Sequence, residues 1–197
     1  MNSSQNSDLI LSVFSDSRSV FSLTDIGMLV GESNFKKLNE RLNYYVRKGK
    51  ILRPRKGVYV KPGYDPEELA CMLYTPSYIS LEYVLQKGGV VFQYDERLTA
   101  VSYLSRSVEI EGRIYAYRKI KGETLIVTQG IIQTGNVNIA TPERAFLDIL
   151  YLNSNYYFDN LHPLNENLIT TLLPAYNSKT LTERVKKLLA NGKCKQT

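Results

Sequence analysis

The chain has 197 residues and a mass of 22.5 kDa, enough for one large domain or two small ones. Hydrophobic residues make up 43% and charged residues 22%, which excludes wholesale disorder. Twenty-five Lys and Arg against 19 Asp and Glu leave +6, which favours a polyanion as partner, while two cysteines and one histidine exclude a disulfide scaffold and leave a Cys/His zinc site short of ligands.

The polar start, Met1-Asn2-Ser3-Ser4-Gln5-Asn6, does not read as a signal peptide. The longest apolar run, 69–74, falls far short of the roughly 20 residues that span a bilayer. The expectation is a soluble, cytoplasmic protein with no membrane partner.

Leu9, Ile10, Val13 and Phe14 recur at helical spacing, so a first helix is expected over 6–15. Ser22 followed by Asp25 is a start signal for a short second helix, with Ile26, Leu29 and Val30 as its apolar stripe and Gly31 as its stop. A third helix begins after Ser33 or Asn34 as cap. Phe35, Leu38, Leu42, Tyr45 and Val46 form its packed face. At ~100° per residue, Ser33, Lys36, Lys37, Glu40, Tyr44 and Arg47 point the other way, flanked by Arg41 and Lys48. Gly49 ends it. The stretch 51–60 reads as two short strands around the basic turn Arg55-Lys56-Gly57.

The charge is concentrated here. Residues 34–61 hold ten basic side chains and one acid, Glu40, a local +9 in 28 residues. The rest of the chain holds 15 basic and 18 acidic residues. A solvated charged face is the plain alternative, but the cations coincide with the free face of helix 3 and with the hairpin. That arrangement predicts a winged helix-turn-helix that binds double-stranded DNA. Lys36, Lys37 and Glu40 are placed to reach base edges. Arg41, Arg47, Lys48, Arg53, Arg55 and Lys56 are placed for phosphates.

The turn-rich stretch Lys61-Pro62-Gly63-Tyr64-Asp65-Pro66 marks an expected boundary between a 1–63 DNA-binding domain and a 64–197 α+β domain. In the second domain, helices are expected over 66–74 and 77–87, the latter stopping at Gly88-Gly89. Period-two alternation begins near Arg97. Residues 108–110 and 114–117 flank a Glu111-Gly112 turn and read as a hairpin. Further strands are expected over 124–128, 131–134 and 137–139, giving a small, mostly antiparallel sheet. Thr141-Pro142-Glu143 opens a helix with core residues Ala145, Phe146, Ile149 and Leu150. Two more helices are expected, over 166–173 and 181–190. Cys71 reads as core, and Cys194 lies in a tail given no role.

No Gly-x-Gly, Gly-Lys-Ser/Thr or Asp-x-Asp occurs, and Glu143 and Asp148 do not share a helix face. His162 reads as a surface residue. Neither catalysis nor a cofactor is expected. Tyr94, Tyr103, Tyr115, Tyr117, Tyr156 and Tyr157 suit either core packing or a partner surface.

Several stretches carry a family resemblance. They are Phe21-Ser22-Leu23-Thr24-Asp25-Ile26, Val46-Arg47-Lys48-Gly49-Lys50-Ile51-Leu52, Arg53-Pro54-Arg55-Lys56-Gly57-Val58-Tyr59-Val60, Tyr78-Ile79-Ser80-Leu81-Glu82 and Thr141-Pro142-Glu143-Arg144-Ala145-Phe146-Leu147-Asp148. Over 5–155 the layout resembles the AbiEi-type antitoxins of bacterial type IV (abortive infection) toxin–antitoxin modules and related transcriptional regulators. The resemblance implies a winged helix that binds an operator in its own promoter and represses. It also implies a second domain that counters a nucleotidyltransferase-like toxin encoded next door. It brings no catalytic residues, and its basic DNA-contacting positions fall on helix 3 and the wing. The alternative is a winged-helix regulator whose second domain senses a ligand or dimerises, with no toxin partner.

Overall fold

The computed structural model describes residues 3–193, so Cys194 lies outside the described residues. The fold is α+β. The chain divides into two compact units, one ending at Leu73 and the other beginning at Tyr74.

The first unit runs α1 (Ser3–Ser15), β1 (Val20–Ser22), α2 (Leu23–Val30), α3 (Phe35–Arg47), β2 (Leu52–Arg55), β3 (Val58–Val60) and α4 (Pro66–Leu73). Local signals set the helix ends. Ser22 Oγ accepts from Asp25 N at 3.0 Å and Ser22 N donates to Asp25 Oδ2 at 2.7 Å, a reciprocal cap that satisfies two free amides at the start of α2. Gly31, at φ 65°, ends α2 in the left-handed conformation that glycine adopts without strain. Asn34 caps α3, its Oδ1 accepting from Lys37 N at 3.1 Å.

The apolar faces of these elements meet in one core of Leu9, Val13, Phe21, Ile26, Leu38, Leu42, Tyr45, Ile51 and Tyr59. Each such side chain contributes about 1.5–3 kcal/mol by leaving water. Phe35, expected on the packed face of α3, is 46% exposed, because it sits on the first turn and lies against Gly27 at the edge of the core. β1, unannounced by periodicity, pairs antiparallel with β3, which pairs antiparallel with β2. Three residues are too few to display alternation.

The unit boundary falls after α4, ten residues beyond the expected one at 63/64. Glu68 of α4 explains why. Its Oε2 accepts from Ser19 N at 2.7 Å, Ser19 Oγ at 2.6 Å and Val20 N at 3.1 Å, anchoring α4 to the start of β1.

The second unit runs β4 (Ser77–Ile79), α5 (Glu82–Lys87), β5 (Leu98–Ser102), β6 (Arg106–Ile110), β7 (Arg113–Lys119), α6 (Gly122–Leu125), β8 (Ile131–Thr134), β9 (Val137–Ala140), α7 (Pro142–Leu152), α8 (Glu166–Leu172), a 3-10 turn (Leu173–Tyr176) and α9 (Lys179–Lys193). The six strands lie in the order β6-β7-β5-β4-β9-β8. The β6–β7, β4–β5 and β8–β9 pairs are antiparallel, whereas β5–β7 and β4–β9 are parallel, so the sheet is mixed, with the expected antiparallel pairings joined by two parallel ones.

Two expected elements change type. The expected helix over 77–87 is a strand followed by a helix: Ser77–Ile79 lie in the sheet interior, and Leu81, at φ 64°, turns the chain into α5. The expected strand over 124–128 is instead the short helix α6. Thr124 and Leu125 are buried, and Thr124 O accepts from Arg144 Nη2 at 2.8 Å. Burial and that long-range bond override the β-favouring composition of Leu125-Ile126-Val127.

Candidate nucleic-acid interface

Of the eleven candidate residues, Ser33, Lys36, Lys37, Glu40, Tyr44, Arg47, Lys48, Arg53, Arg55 and Lys56 are exposed, and Arg41 is half-buried. Leu38, Leu42 and Tyr45 are turned into the core, which forces the polar face of α3 outward. Ser33 is not on the helix; it precedes the Asn34 cap.

The outward side chains differ in freedom. Lys37 Nζ lies 3.4 Å from Glu32 Oε2, and the same carboxylate accepts from Asn34 N at 3.0 Å. The Asn34 amide first, and then Lys37, hold the Glu32 carboxyl below its usual range. Lys37 therefore approaches any ligand as half of an ion pair. Tyr44 is 45% exposed, its ring edge-on to Tyr45, with the Lys48 ammonium 5.9 Å from its centroid. That gives the C-terminal end of α3 an amphipathic ring beside two cations, Arg47 and Lys48.

Side-chain bonds join the β2–β3 hairpin to α3. Tyr59 Oη donates to Asn39 Oδ1 at 2.7 Å, and Arg53 Nη1 donates to Asn43 Oδ1 at 2.9 Å. Asn39 and Asn43 are four apart, one turn of α3, so both straps seize the same flank. Arg53 is thus placed beside α3. Arg55 is not: its Nη1 donates to Leu73 O at 2.9 Å, at the C-terminal end of α4, where a guanidinium satisfies a free carbonyl. Lys56 sits exposed on the turn with Gly57, whose φ of 81° the tight turn requires.

The structure therefore brings Lys36, Lys37, Glu40, Arg41, Tyr44, Arg47, Lys48 and Arg53 together on α3 and the neighbouring strand, and diverts Arg55. Residue counting misses Asn39, Asn43 and Tyr59. The available signal was the Asn-x-x-x-Asn spacing on α3, which says only that two amides share a flank. Phosphates of a duplex would meet a dense cationic strip here, and affinity for such a ligand falls with salt.

The second unit buries a charged pair. Arg144 and Asp148 are both 0% exposed, with Arg144 Nε 3.5 Å from Asp148 Oδ1. Asp148 accepts from Ser80 Oγ at 2.7 Å, Tyr176 Oη at 2.6 Å and Tyr78 Oη at 3.1 Å. Burial pushes the Asp148 carboxyl up, against the pull of Arg144 and these hydroxyls. Glu143, one residue from Arg144, faces elsewhere and accepts from Asn165 N at 3.0 Å. His162 is exposed, as expected. Among the described residues no three His, Cys, Asp or Glu could hold a metal, and no helix is long and apolar enough to cross a membrane.

No protein-family model matches the chain, and no curated protein sequence matches it. Among solved structures the chain is similar to the crystal structure of the RV2827C protein from Mycobacterium tuberculosis, with a TM-score of 0.59 at 14% identity, over 96% of this chain and 77% of that one. A likeness at that identity speaks to the fold alone.

Proposed function

We propose that α1–α3 and the β2–β3 hairpin act as a winged helix that binds double-stranded DNA in the cytoplasm and represses transcription from the chain's own operator. The observation that carries the reading is the coincidence of charge and shape: Lys36, Lys37, Arg47 and Lys48 of the +9 segment lie exposed on α3, and Arg53 and Lys56 on the hairpin strapped to it. A helix about 10–12 Å across fits a major groove about 12 Å wide. Lys36 and Glu40 stand in the N-terminal half of α3, where base edges are reached. Arg47, Lys48, Arg53 and Lys56 supply phosphate contacts.

The resemblance to AbiEi-type antitoxins supports the larger role. In that reading the second unit counters a nucleotidyltransferase-like toxin encoded by the adjacent gene. The DNA arm is tested by fluorescence anisotropy on the chain's own upstream duplex. Lys36→Ala/Lys37→Ala/Arg41→Ala abolishes operator binding and leaves the circular dichroism spectrum unchanged. If about six cations engage phosphates, log affinity falls against log salt with a slope of roughly −5. Unchanged affinity in the triple variant overturns the assignment of α3. Growth rescue on co-expression with the adjacent gene tests the antitoxin arm, and absence of rescue leaves a regulator without a toxin partner.

A further inference from the structure

The second unit presents three aromatic rings to solvent on two adjoining loops. Phe92 is 68% exposed, Tyr94 81% and Tyr157 76%. The loops are stitched together. Phe92 N donates to Asp159 Oδ2 at 2.8 Å, Asp159 N and Asn160 N both donate to Val90 O at 3.1 Å, and Asn160 Nδ2 donates to Gly89 O at 3.3 Å. Gln86 Nε2 of α5 donates to Gln93 O. Val90, Val91 and Phe158 are buried beneath. The rings therefore stand on a fixed base, and the core has no use for them. Exposed aromatic surface of this kind is characteristic of a docking face.

The charges around the rings choose the occupant. Asp159 and Glu96 are exposed and form no salt bridge among the described residues. The Tyr94 hydroxyl lies 3.4 Å from Glu96 Oε1. Tyr156 lies among Glu82, Asp159 and Asp95, and its hydroxyl is pushed up to about 12, by burial first and then by these three carboxylates. Arg97 neutralises Asp95 at 2.5 Å, leaving the surface net acidic. Tyr94, Glu96 and Arg97 also line an open cleft of about 400 Å³ with Glu111, Arg113 and Ile114 of the β6–β7 hairpin, where two guanidiniums balance the two carboxylates.

An anionic ligand is repelled here. A purely apolar ligand would strip water from the carboxylates without replacing their hydrogen bonds. A guanidinium answers both features: its flat face stacks on an aromatic ring and its N–H fork pairs with a carboxylate. An ammonium offers charge without the flat face. We propose that the Phe92–Tyr94–Tyr157 surface docks an arginine-bearing segment of a partner protein.

The proposal stands apart from the DNA reading and is tested on the full chain by isothermal titration calorimetry, with octa-arginine and octa-lysine peptides as probes. Octa-arginine is expected to bind at least fivefold more tightly than octa-lysine. Phe92→Ser/Tyr157→Ser is expected to weaken octa-arginine at least tenfold, and Glu96→Gln severalfold. Both rings face solvent, so the double variant is expected to keep the melting temperature and the duplex-DNA affinity of the parent chain. Equal binding of the two peptides, or unchanged octa-arginine binding by the double variant, overturns the proposal. Self-association of the parent chain that disappears in the double variant overturns it too, assigning the surface to a second copy instead.

Discussion

Tyr59 and Asn39 are joined across the first unit by a 2.7 Å hydrogen bond from the tyrosine hydroxyl to the amide oxygen, although Tyr59 itself is 1% exposed. A core residue of the hairpin thereby fixes a residue on the flank of α3. The Arg53–Asn43 bond, one helical turn further on, does the same from the solvent side. The pair sets the spacing between the two elements proposed to meet DNA.

Removing the hydroxyl tests this spacing. Tyr59→Phe keeps the ring in the core and loses one net hydrogen bond, about 1 kcal/mol. Tyr59→Ala loses the ring as well, about 3–5 kcal/mol. Urea denaturation measures both. The conservative variant is also expected to lose operator affinity severalfold while keeping its salt slope, because phosphate contacts are untouched. A changed slope would mean that Tyr59 acts on the cations rather than on geometry.

Gly27 is the second sensitive point. A Cβ there would sit 3.0 Å from Phe35 Cε1 and 3.1 Å from Glu32 O, the latter a backbone atom that cannot swing away. Helix propensity favours alanine by about 1 kcal/mol. Crowding of this kind costs about 1–3 kcal/mol, so the balance for Gly27→Ala is a net loss. Adding Phe35→Leu relieves one contact and restores stability in part. Thermal melts of the single and double variants decide it, and a stabilised Gly27→Ala would refute the packing described for α2 and α3.

The Arg144–Asp148 pair gives a third expectation. Arg144→Met strands the buried Asp148 carboxylate and costs about 3–5 kcal/mol. Arg144→Met/Asp148→Asn removes both charges, keeps an amide oxygen for the Tyr78, Ser80 and Tyr176 hydroxyls, and recovers part of that loss. The double-mutant cycle reads the coupling directly. If the double variant is as unstable as the sum of the singles, the two residues do not act as a pair.

Acid stability follows from Asp16. The Arg18 side chain, bonded to it at 2.8 and 2.9 Å, holds its carboxyl at about 2 instead of 3.8. A carboxyl depressed in the folded state contributes stability above the unfolded pKa, and the contribution fades as pH falls through the folded value. The window is therefore pH 3.8 down to about 2. The pair is partly exposed, so its worth is at most about 1 kcal/mol. Asp16→Asn is expected to flatten the stability profile across this window, measured by urea titration at stepped pH, and to leave the difference between variant and parent constant below it.

Much of this architecture is written in short-range signals. Ser22 with Asp25, Gly31, Asn34 and Thr141-Pro142 mark helix ends through hydrogen bonds that close within a few residues, and the Glu111-Gly112 turn closes the β6–β7 hairpin in the same way. The outward face of α3 follows from helical geometry once Leu38 and Leu42 are buried. Those features needed only neighbours in the chain. The strand at Ser77–Ile79, the helix at Gly122–Leu125, the straps on Asn39 and Asn43, and the inward turn of Arg144 each depend on atoms 10 to 70 residues away. A buried strand shows no alternation, and a buried arginine looks like any other in a sequence. Only packing, which sets what is covered and which carbonyl or hydroxyl waits at the end of a side chain, chooses between those outcomes.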